Sequence, residues 1–401
     1  MVSVPQANDI ILQNLMSPGK EEVNILQSSG RILAEPIFAE RDYPPFNRVT
    51  MDGIGIKAES WEKGRKSFEI AGTHAAGAAP PILTCIEKCY EVMTGSVAPE
   101  GVDCVIPVEM IKVENGIATI VEDSPNIGKD WNIHQQGSDC PAGTELLKIG
   151  TLLDSTSIAV AASEGKETVK VICKPRIAVV SSGDELVALS ESPMPWQIRR
   201  SNSYAIAAEL EKLKLADVEI FHIADEKGDI NKTVGRILEE FDSVILSGAV
   251  SKGKFDFIPA VLDDLGVEKL FHHVSQRPGK PFWFGVTKDK KPVFALPGNP
   301  VSAVTGFRRY IIPSLLKSMG QAPQKRFVRL TGEFTFKKNF TYFLPVKTSF
   351  NGSVFEAEPA PVNGSGDFSA LALTDGFVEL PAEQEYFSVG FEAEFYPWNS
   401  Y

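Results

Sequence analysis

Apolar and polar positions alternate with different periods along the chain, and the changes of period mark its modules. Asn8 to Met16 has the spacing of a short helix. An extended arm follows through Ile32, Leu33, Ile37 and Phe38 to Tyr43-Pro44-Pro45-Phe46. Such an arm buries its apolar face only against another module or subunit. From 51 to 130 the pattern is all-β: Val105 to Val113 and Ile117 to Val121 flank Asn115-Gly116, a strong hairpin signal. Asn132 to about Cys173 reads as helical in part and rejoins the first arm.

From Lys174 strands alternate with helices. Arg176 to Val180 is an apolar run closed by Ser181-Ser182-Gly183-Asp184-Glu185. Tyr204 to Lys214 carries Ile206, Leu210 and Leu213 on one helical face, and a second helix starts at Asp229 with Val234, Ile237, Leu238 and Phe241 at matching intervals. This alternation predicts a parallel α/β domain. Beyond Gln321 the helical period disappears. Phe327 to Leu330, Tyr342 to Leu344, Val354 to Glu358 and Phe391 to Phe395 are strand-like, and Asn351-Gly352 forms a second hairpin turn. They predict a compact β-barrel of about 75 residues.

The expected fold is therefore multidomain, α/β plus β. Residues 1–50 and 131–173 form a discontinuous N-terminal module, 51–130 an inserted β domain, 174–320 a central parallel α/β domain, and 321–401 a C-terminal β-barrel.

Within the α/β domain, 241–303 holds the strongest chemical signal. Val244-Ile245-Leu246 is a buried strand that breaks into Ser247-Gly248-Ala249-Val250-Ser251-Lys252-Gly253-Lys254. A helix over Phe257 to Leu265 follows, with Asp256 as candidate N-cap and Gly266 as stop. Arg277-Pro278-Gly279-Lys280-Pro281 is a rigid turn with two cations, between strands His272 to Val274 and Phe282 to Phe284. Pro292 to Leu296 is another strand, which Pro297-Gly298-Asn299-Pro300 turns into a helix from Val301 to Met319; Asn299 suits the N-cap and Pro300 the first helical position. If these strands are parallel, the three loops share the carboxyl edge of one sheet, where open α/β sheets bind ligands. Helix-start N–H groups with Lys252, Lys254, Arg277 and Lys280 would then attract a phosphate or oxyanion.

Composition narrows the ligand. The chain of 401 residues is 43% hydrophobic and 23% charged, with a net charge of −12. That balance excludes general nucleic-acid binding, so a cationic site must be local and its ligand small. Five cysteines without a Cys-x-x-Cys pair point to reduced thiols in the cytosol, and no run reaches the ~18 apolar residues of a membrane helix. Carboxylates on turns, namely Asp52, Asp139, Glu185, Asp225 and Asp256, are candidates for a magnesium site, since hard cations take oxygen ligands and share them with substrate phosphates. Each also has an ordinary reading as a turn former or cap. No Gly-x-Ser-x-Gly elbow or Walker lysine motif occurs, and His272-His273 lies on an apolar strand.

Over essentially its whole length the chain resembles the molybdopterin molybdenumtransferases, the group that includes the carboxyl-terminal domain of gephyrin. The resemblance is carried by Pro44-Pro45-Phe46 with Met51-Asp52-Gly53, Met93-Thr94-Gly95 with Pro99-Glu100-Gly101, Gly183-Asp184-Glu185-Leu186, and Ser201-Asn202-Ser203. It continues through Ser247-Gly248 with Val250-Ser251 and Gly253, Pro278-Gly279-Lys280-Pro281, and Leu296-Pro297-Gly298-Asn299-Pro300-Val301-Ser302.

The resemblance implies an elongated homodimer of four-domain subunits, with its site between the α/β domain of one subunit and the barrel of the partner; the thiols and the lack of a membrane run place it in the cytoplasm. It implies a reaction in which adenylylated molybdopterin and molybdate, with Mg2+, give molybdenum cofactor and AMP. Asp52, Asp139, Asp225 and Asp256 match catalytic positions; Thr94, Ser247, Gly248, Ser251, Lys280, Pro297, Gly298, Asn299, Pro300 and Ser302 match binding positions; Glu185, Asp225 and Asp256 match metal positions. Other proteins of molybdenum cofactor synthesis are the implied partners, with no nucleic acid and no membrane.

The chain departs from that pattern at Asn47-Arg48-Val49-Thr50, at His134-Gln135-Gln136 in place of an arginine run, at Arg200 in place of an aspartate, at Ala249 in place of a glycine, and at Pro345 in place of an arginine. These departures raise a second reading, a dimeric scaffold or regulatory protein of the same fold. The choice between molybdate and tungstate is not written in the residues.

Overall fold

The structure, a computed structural model, describes residues 1–122, 124–224, 226–248, 257–337, 339–360, 364 and 366–399. They divide into two compact units, one of residues 35–168 and one of 1–34 with 169–401.

In the 35–168 unit a six-stranded sheet has the order Cys104–Pro107, Gly53–Ile56, Lys88–Val92, Ser67–His74, Ile117–Ile120, Ile111–Glu114. The expected hairpin forms. Asn115 and Gly116 both take positive φ, 49° and 77°, as a type I′ turn requires. The single strand expected from Val105 to Val113 does not form, because after Pro107 a 3-10 turn, Val108–Met110, interrupts it. Pro107 has no N–H to continue a ladder.

In the same unit the helix Ser155–Ser163 is capped by Asp154, whose carboxylate accepts from the Ser157 N–H and the Thr156 hydroxyl, both at 2.8 Å. These bonds, the Ser157 amide first, hold the Asp154 carboxyl at about 2, below its ordinary 3.8. Since the folded value lies below the unfolded one, the cap's contribution is present above pH ~3.8 and is lost as pH falls towards 2. Asp154→Asn is expected to lack this loss. The difference in stability between parent and variant should shrink with acidification between those values in urea titrations, and a constant difference would refute the assignment.

The larger unit is built on a second six-stranded sheet, ordered Asp217–Ile223, Arg176–Ser182, Ser243–Ser247, Pro292–Leu296, Trp283–Val286, Glu268–His272. The first four strands are parallel, as expected. Trp283–Val286 is antiparallel to both neighbours, which corrects the all-parallel expectation. Glu268–His272 consequently runs with the parallel set, so the Arg277–Lys280 turn that follows it still leaves from the carboxyl edge. Alternation sends Ile177, Val179, Ile245, Phe294 and Leu296 into one core and Ala178, Val180, Val244, Leu246, Val293 and Ala295 into the other. Helices Asn202–Lys212 and Pro300–Gly306 cover the first face; Lys227–Glu240 and Ile258–Asp264 cover the second.

Several helix bounds differ from expectation. The first helix is Val4–Leu12, not Asn8 to Met16, because Ser3 and Gln6 form a reciprocal capping box with Pro5 in the first turn. The helix after Asn299 is not uniform: Phe307–Ile311 is a π turn between Pro300–Gly306 and Ile312–Ser318. Pro313 supplies the reason, since it has no N–H to give and its ring crowds the carbonyl four residues back. The arm residues Leu33 and Ile37 are buried within the chain, through a bridge of Leu33 to Val171 and pairing of Ile37–Phe38 with Glu145–Leu147.

The C-terminal barrel closes with five strands, Thr341–Phe350, Phe355–Pro359, Phe327–Leu330, Glu392–Pro397 and Gly376–Leu380, the last returning to Thr341–Phe350. Gly376–Leu380 is a strand the sequence pattern did not single out. Gln276–Arg277 adds in parallel to Thr341–Tyr342, so the cationic turn of the α/β sheet is anchored on the barrel. Phe343 and Phe377 of the barrel belong to the same core as the sheet's first face. All five cysteines are free, and among the described residues no helix is long and apolar enough to cross a membrane.

Candidate functional site

The carboxyl edge of the central sheet opens into a cavity of about 1240 Å³. Strand ends and the turns that leave them build its wall. Ser181, Ser182 and Glu185 come from the first strand, Ser247 and Gly248 from the third, Arg277 to Pro281 from the turn after Glu268–His272, and Pro297 to Ser302 from the fourth parallel strand. Arg199 to Ser203 line it at the start of the helix Asn202–Lys212, and Tyr342, Phe343 and Pro345 of this chain's own barrel complete it.

Hydrogen bonds lock these turns together. Asn202 Nδ2 donates to Ser247 Oγ at 2.9 Å and to the Gly298 carbonyl at 2.8 Å. Ser247 Oγ donates onward to the Pro297 carbonyl at 3.5 Å, and the Gly248 N–H to the Leu296 carbonyl at 3.1 Å. Under the cationic turn, the buried Gln276 donates to the Pro278 and Gly279 carbonyls at 3.3 and 3.1 Å while accepting from Tyr310. Burial pushes the Tyr310 phenol well above its ordinary value, so it remains a donor. Lys280 Nζ stands 5.6 Å over the Phe340 ring and the Arg277 guanidinium 5.8 Å over Phe336, which fixes both cations at the rim.

Of the predicted site residues, Glu185, Ser247, Gly248, Lys280, Pro297, Gly298, Asn299, Pro300 and Ser302 line this one cavity. Asn299 is the N-cap and Pro300 the first helical residue, as expected. Ser251, Asp225 and Asp256 lie outside the described residues, as do Lys252 and Lys254. Helix Ile258–Asp264 takes Phe257 as its cap position.

Asp52, Thr94 and Asp139 lie in the 35–168 unit. Asp52 accepts from the Thr94 N–H and hydroxyl, both at 2.7 Å, and the Thr94 amide holds its carboxyl below the ordinary range. Asp139 pairs with His134 Nε2 at 2.8 Å, and His134 Nδ1 meets Arg48 at 3.1 Å. Arg48 and His134 were noted in the sequence only as departures; the register of their strands, with Arg48 opposite His134, makes them neighbours. Gln276 and Tyr310 were not legible as site residues, being thirty-four positions apart and without a motif.

Comparison with known proteins joins this geometry to a family. A curated molybdopterin molybdenumtransferase of Synechocystis sp. is 40% identical over 400 residues, 99% of this chain and 100% of that protein. The chain belongs to the molybdopterin molybdenumtransferase family. A second relative of that name, from Haemophilus influenzae, is 30% identical across 100% of this chain and 99% of its own length. Family models match in three stretches: MoeA N-terminal region (domain I and II) at 2–165, probable molybdopterin binding domain at 178–317, and MoeA C-terminal region (domain IV) at 328–398. Among solved structures, a molybdopterin biosynthesis moeA protein from Pyrococcus horikosii superposes with a TM-score of 0.85 at 31% identity, over the full length of both chains. The cavity lies in the part of the chain matched by the second and third models, so in this member of the molybdenumtransferase family both contribute to one wall.

Proposed function

We propose that this chain is a molybdopterin molybdenumtransferase of molybdenum cofactor biosynthesis, inserting molybdate into adenylylated molybdopterin with release of AMP, and that the cavity is where the two substrates meet. One observation carries the reading. In a chain of net charge −12, the described residues of the cavity wall include Arg199, Arg200, Arg277 and Lys280 against the single carboxylate Glu185. A local excess of cations on an acidic protein selects small anions, and both substrates are anionic. Full-length relatives that share the molybdenumtransferase name support the enzyme over the scaffold reading.

In this reading Lys280 and Arg277 hold and screen phosphate and oxyanion charge, while Ser247, Gly248, Ser302 and the Pro297–Pro300 turn shape the pocket against the bound pterin nucleotide. Asn202 positions Ser247 and Gly298 through its two amide protons. The described residues fit magnesium only in part. No group of three or more His, Cys, Asp or Glu among them is set to hold a metal, and among the described residues Glu185 is the one carboxylate on the wall. That suits an ion held through a few carboxylates and otherwise by water and substrate phosphate. Glu185, with Asp225 and Asp256, would hold it, and when bound it would neutralise phosphate charge. Asp52, Thr94, Asp139 and Ser251 are carried in the proposal as site residues, with a cytoplasmic homodimer and the division into 1–50 with 131–173, 51–130, 174–320 and 321–401.

The test is release of AMP from adenylylated molybdopterin in the presence of molybdate and Mg2+. Turnover above a blank is expected, and its absence would reject the reading. Lys280→Ala should lower kcat/KM by ~10- to 100-fold, the equivalent of one charge-assisted hydrogen bond of roughly 1.5–3 kcal/mol. An unchanged value would remove Lys280 from the site.

A further inference from the structure

The two sides of the cavity differ in chemistry. Its charged members among the described residues, Glu185, Arg199, Arg200, Arg277 and Lys280, all come from the α/β domain. The barrel side contributes Tyr342, Phe343, Pro345, Gly364, Gly366 and Phe368, and none of these carries a charge. A cleft with cations along one side and rings along the other suits a ligand that is anionic at one end and flat and apolar at the other.

The three barrel rings differ in what they still offer. Phe343 is wholly buried and meets Phe377 edge to face, with ring centroids 5.3 Å apart. Tyr342 is covered from within the barrel by Phe334 at 5.2 Å and Phe336 at 4.5 Å. Phe368 is 54% exposed, and among the described residues no other ring or cation stacks on it. An aromatic ring left half open to water at a pocket keeps unburied apolar area and a free face for offset stacking. Its backbone is nonetheless held. The Asp367 N–H donates to the Gly364 carbonyl at 3.1 Å, Asp367 Oδ1 accepts from the Ser369 N–H at 3.1 Å, and the Leu371 N–H donates to the Phe368 carbonyl at 3.2 Å. A hydrogen-bonded turn thus presents the ring, so little conformational freedom is lost when a ligand covers it.

We propose that the barrel side of the cavity is the subsite for a planar heterocycle of the substrate, and that Phe368 is the residue on which that heterocycle stacks. The subsite rests on the reading of the cavity as the substrate site and deepens it: the cations of the sheet edge take the phosphate or oxyanion, and this chain's own barrel takes the ring. Adenylylated molybdopterin has two flat ring systems, adenine and pterin, and the stacking chemistry is common to both. The molybdenumtransferase resemblance assigned no site residue to the turn 364–368; Phe368 enters from the geometry of the wall alone.

The full-length protein titrated calorimetrically with AMP, ribose 5-phosphate and free pterin tests it without turnover. Ribose 5-phosphate keeps the charge of AMP and lacks its base. Parent protein is expected to bind at least one of the two heterocycles. Phe368→Ala should weaken that binding by about tenfold, the loss typical of one base–aromatic stack, and leave ribose 5-phosphate unchanged. Phe368→Trp should keep parent affinity, and Phe368→Leu should fall between, because leucine retains apolar area without a π face. Loss confined to AMP assigns the ring to adenine; loss confined to pterin assigns it to the pterin. The proposal is overturned by parent-like affinity for both heterocycles in Phe368→Ala, or by a parent protein that binds neither. An equal loss for ribose 5-phosphate would also overturn it, since the ring would then only shape the turn. If Phe368→Ala does not fold, Phe368→Leu carries the same readout. Phe368-dependent binding without AMP release would sink the proposed reaction and leave the subsite standing; AMP release at parent kcat/KM in Phe368→Ala would do the reverse.

Discussion

Gly248→Ala is expected to cost ~3 kcal/mol of stability and to lower AMP release more than ~100-fold. Gly248 has φ of 105°, where an L residue is strained, and a Cβ built there would lie 2.4 Å from the Ser182 carbonyl oxygen. Neither side can yield cheaply. Ser182 ends a buried central strand, and the Gly248 N–H is tied to the Leu296 carbonyl. Conformational strain of about 1–2 kcal/mol adds to a forced backbone shift of about 1–3 kcal/mol. The functional loss is larger because the displaced segment carries Ser247, which Asn202 and Pro297 hold in place. A misplacement of about 1 Å can cost ~100-fold in rate. Denaturant titration and the AMP assay measure the two effects separately, and parent-like values in both would show that the hydrogen-bonded turn at Gly248 tolerates the shift.

The second large effect is on the seam between sheet and barrel. Arg309, on the π turn, bonds Glu379 at 2.6 Å with the side chains only 12% and 20% exposed. It also donates to Asn8 Oδ1 at 3.1 Å and faces the rings of Tyr310 and Tyr396 at 5.1 and 5.4 Å. One guanidinium thus ties the first helix, the π turn and the barrel strand Gly376–Leu380. Arg309→Met should destabilise by about 3–5 kcal/mol, because Glu379 is left charged, shielded and unmatched. Adding Glu379→Leu should recover much of the loss, since replacing both members of a shielded pair by apolar groups is far less costly than removing one. Urea titrations of the two single variants and the double variant decide it. Additive losses would mean that Arg309 acts through packing and not through its ion pair.

Much of this was legible along the chain. Strands at 176–182, 243–247 and 292–296 are short apolar runs that break into turn residues, and each forms within a residue or two of its expected place. Asn115-Gly116 announces its own turn, because few residues tolerate consecutive positive φ. The Ser3-to-Gln6 capping box was equally available and would have corrected the first helix. Features made by pairing were not available. The antiparallel direction of Trp283–Val286 and the closure of the barrel by Gly376–Leu380 depend on which distant segments meet, and local periodicity is blind to that.

For this protein the residues alone determined the alternation of strands and helices, the turns at the carboxyl edge, the membership in a family and the identity of most of the turn residues that line the cavity, because each is a property of a few consecutive residues. Tertiary structure decided which of those groups share a wall. It placed Lys280 with Glu185 and Asn299, set Gln276 against Tyr310, and brought the barrel to the rim. The physical reason is that such a hydrogen bond or ion pair is a relation between atoms far apart in sequence, fixed only when the buried faces of sheet, helix and barrel have found their common core.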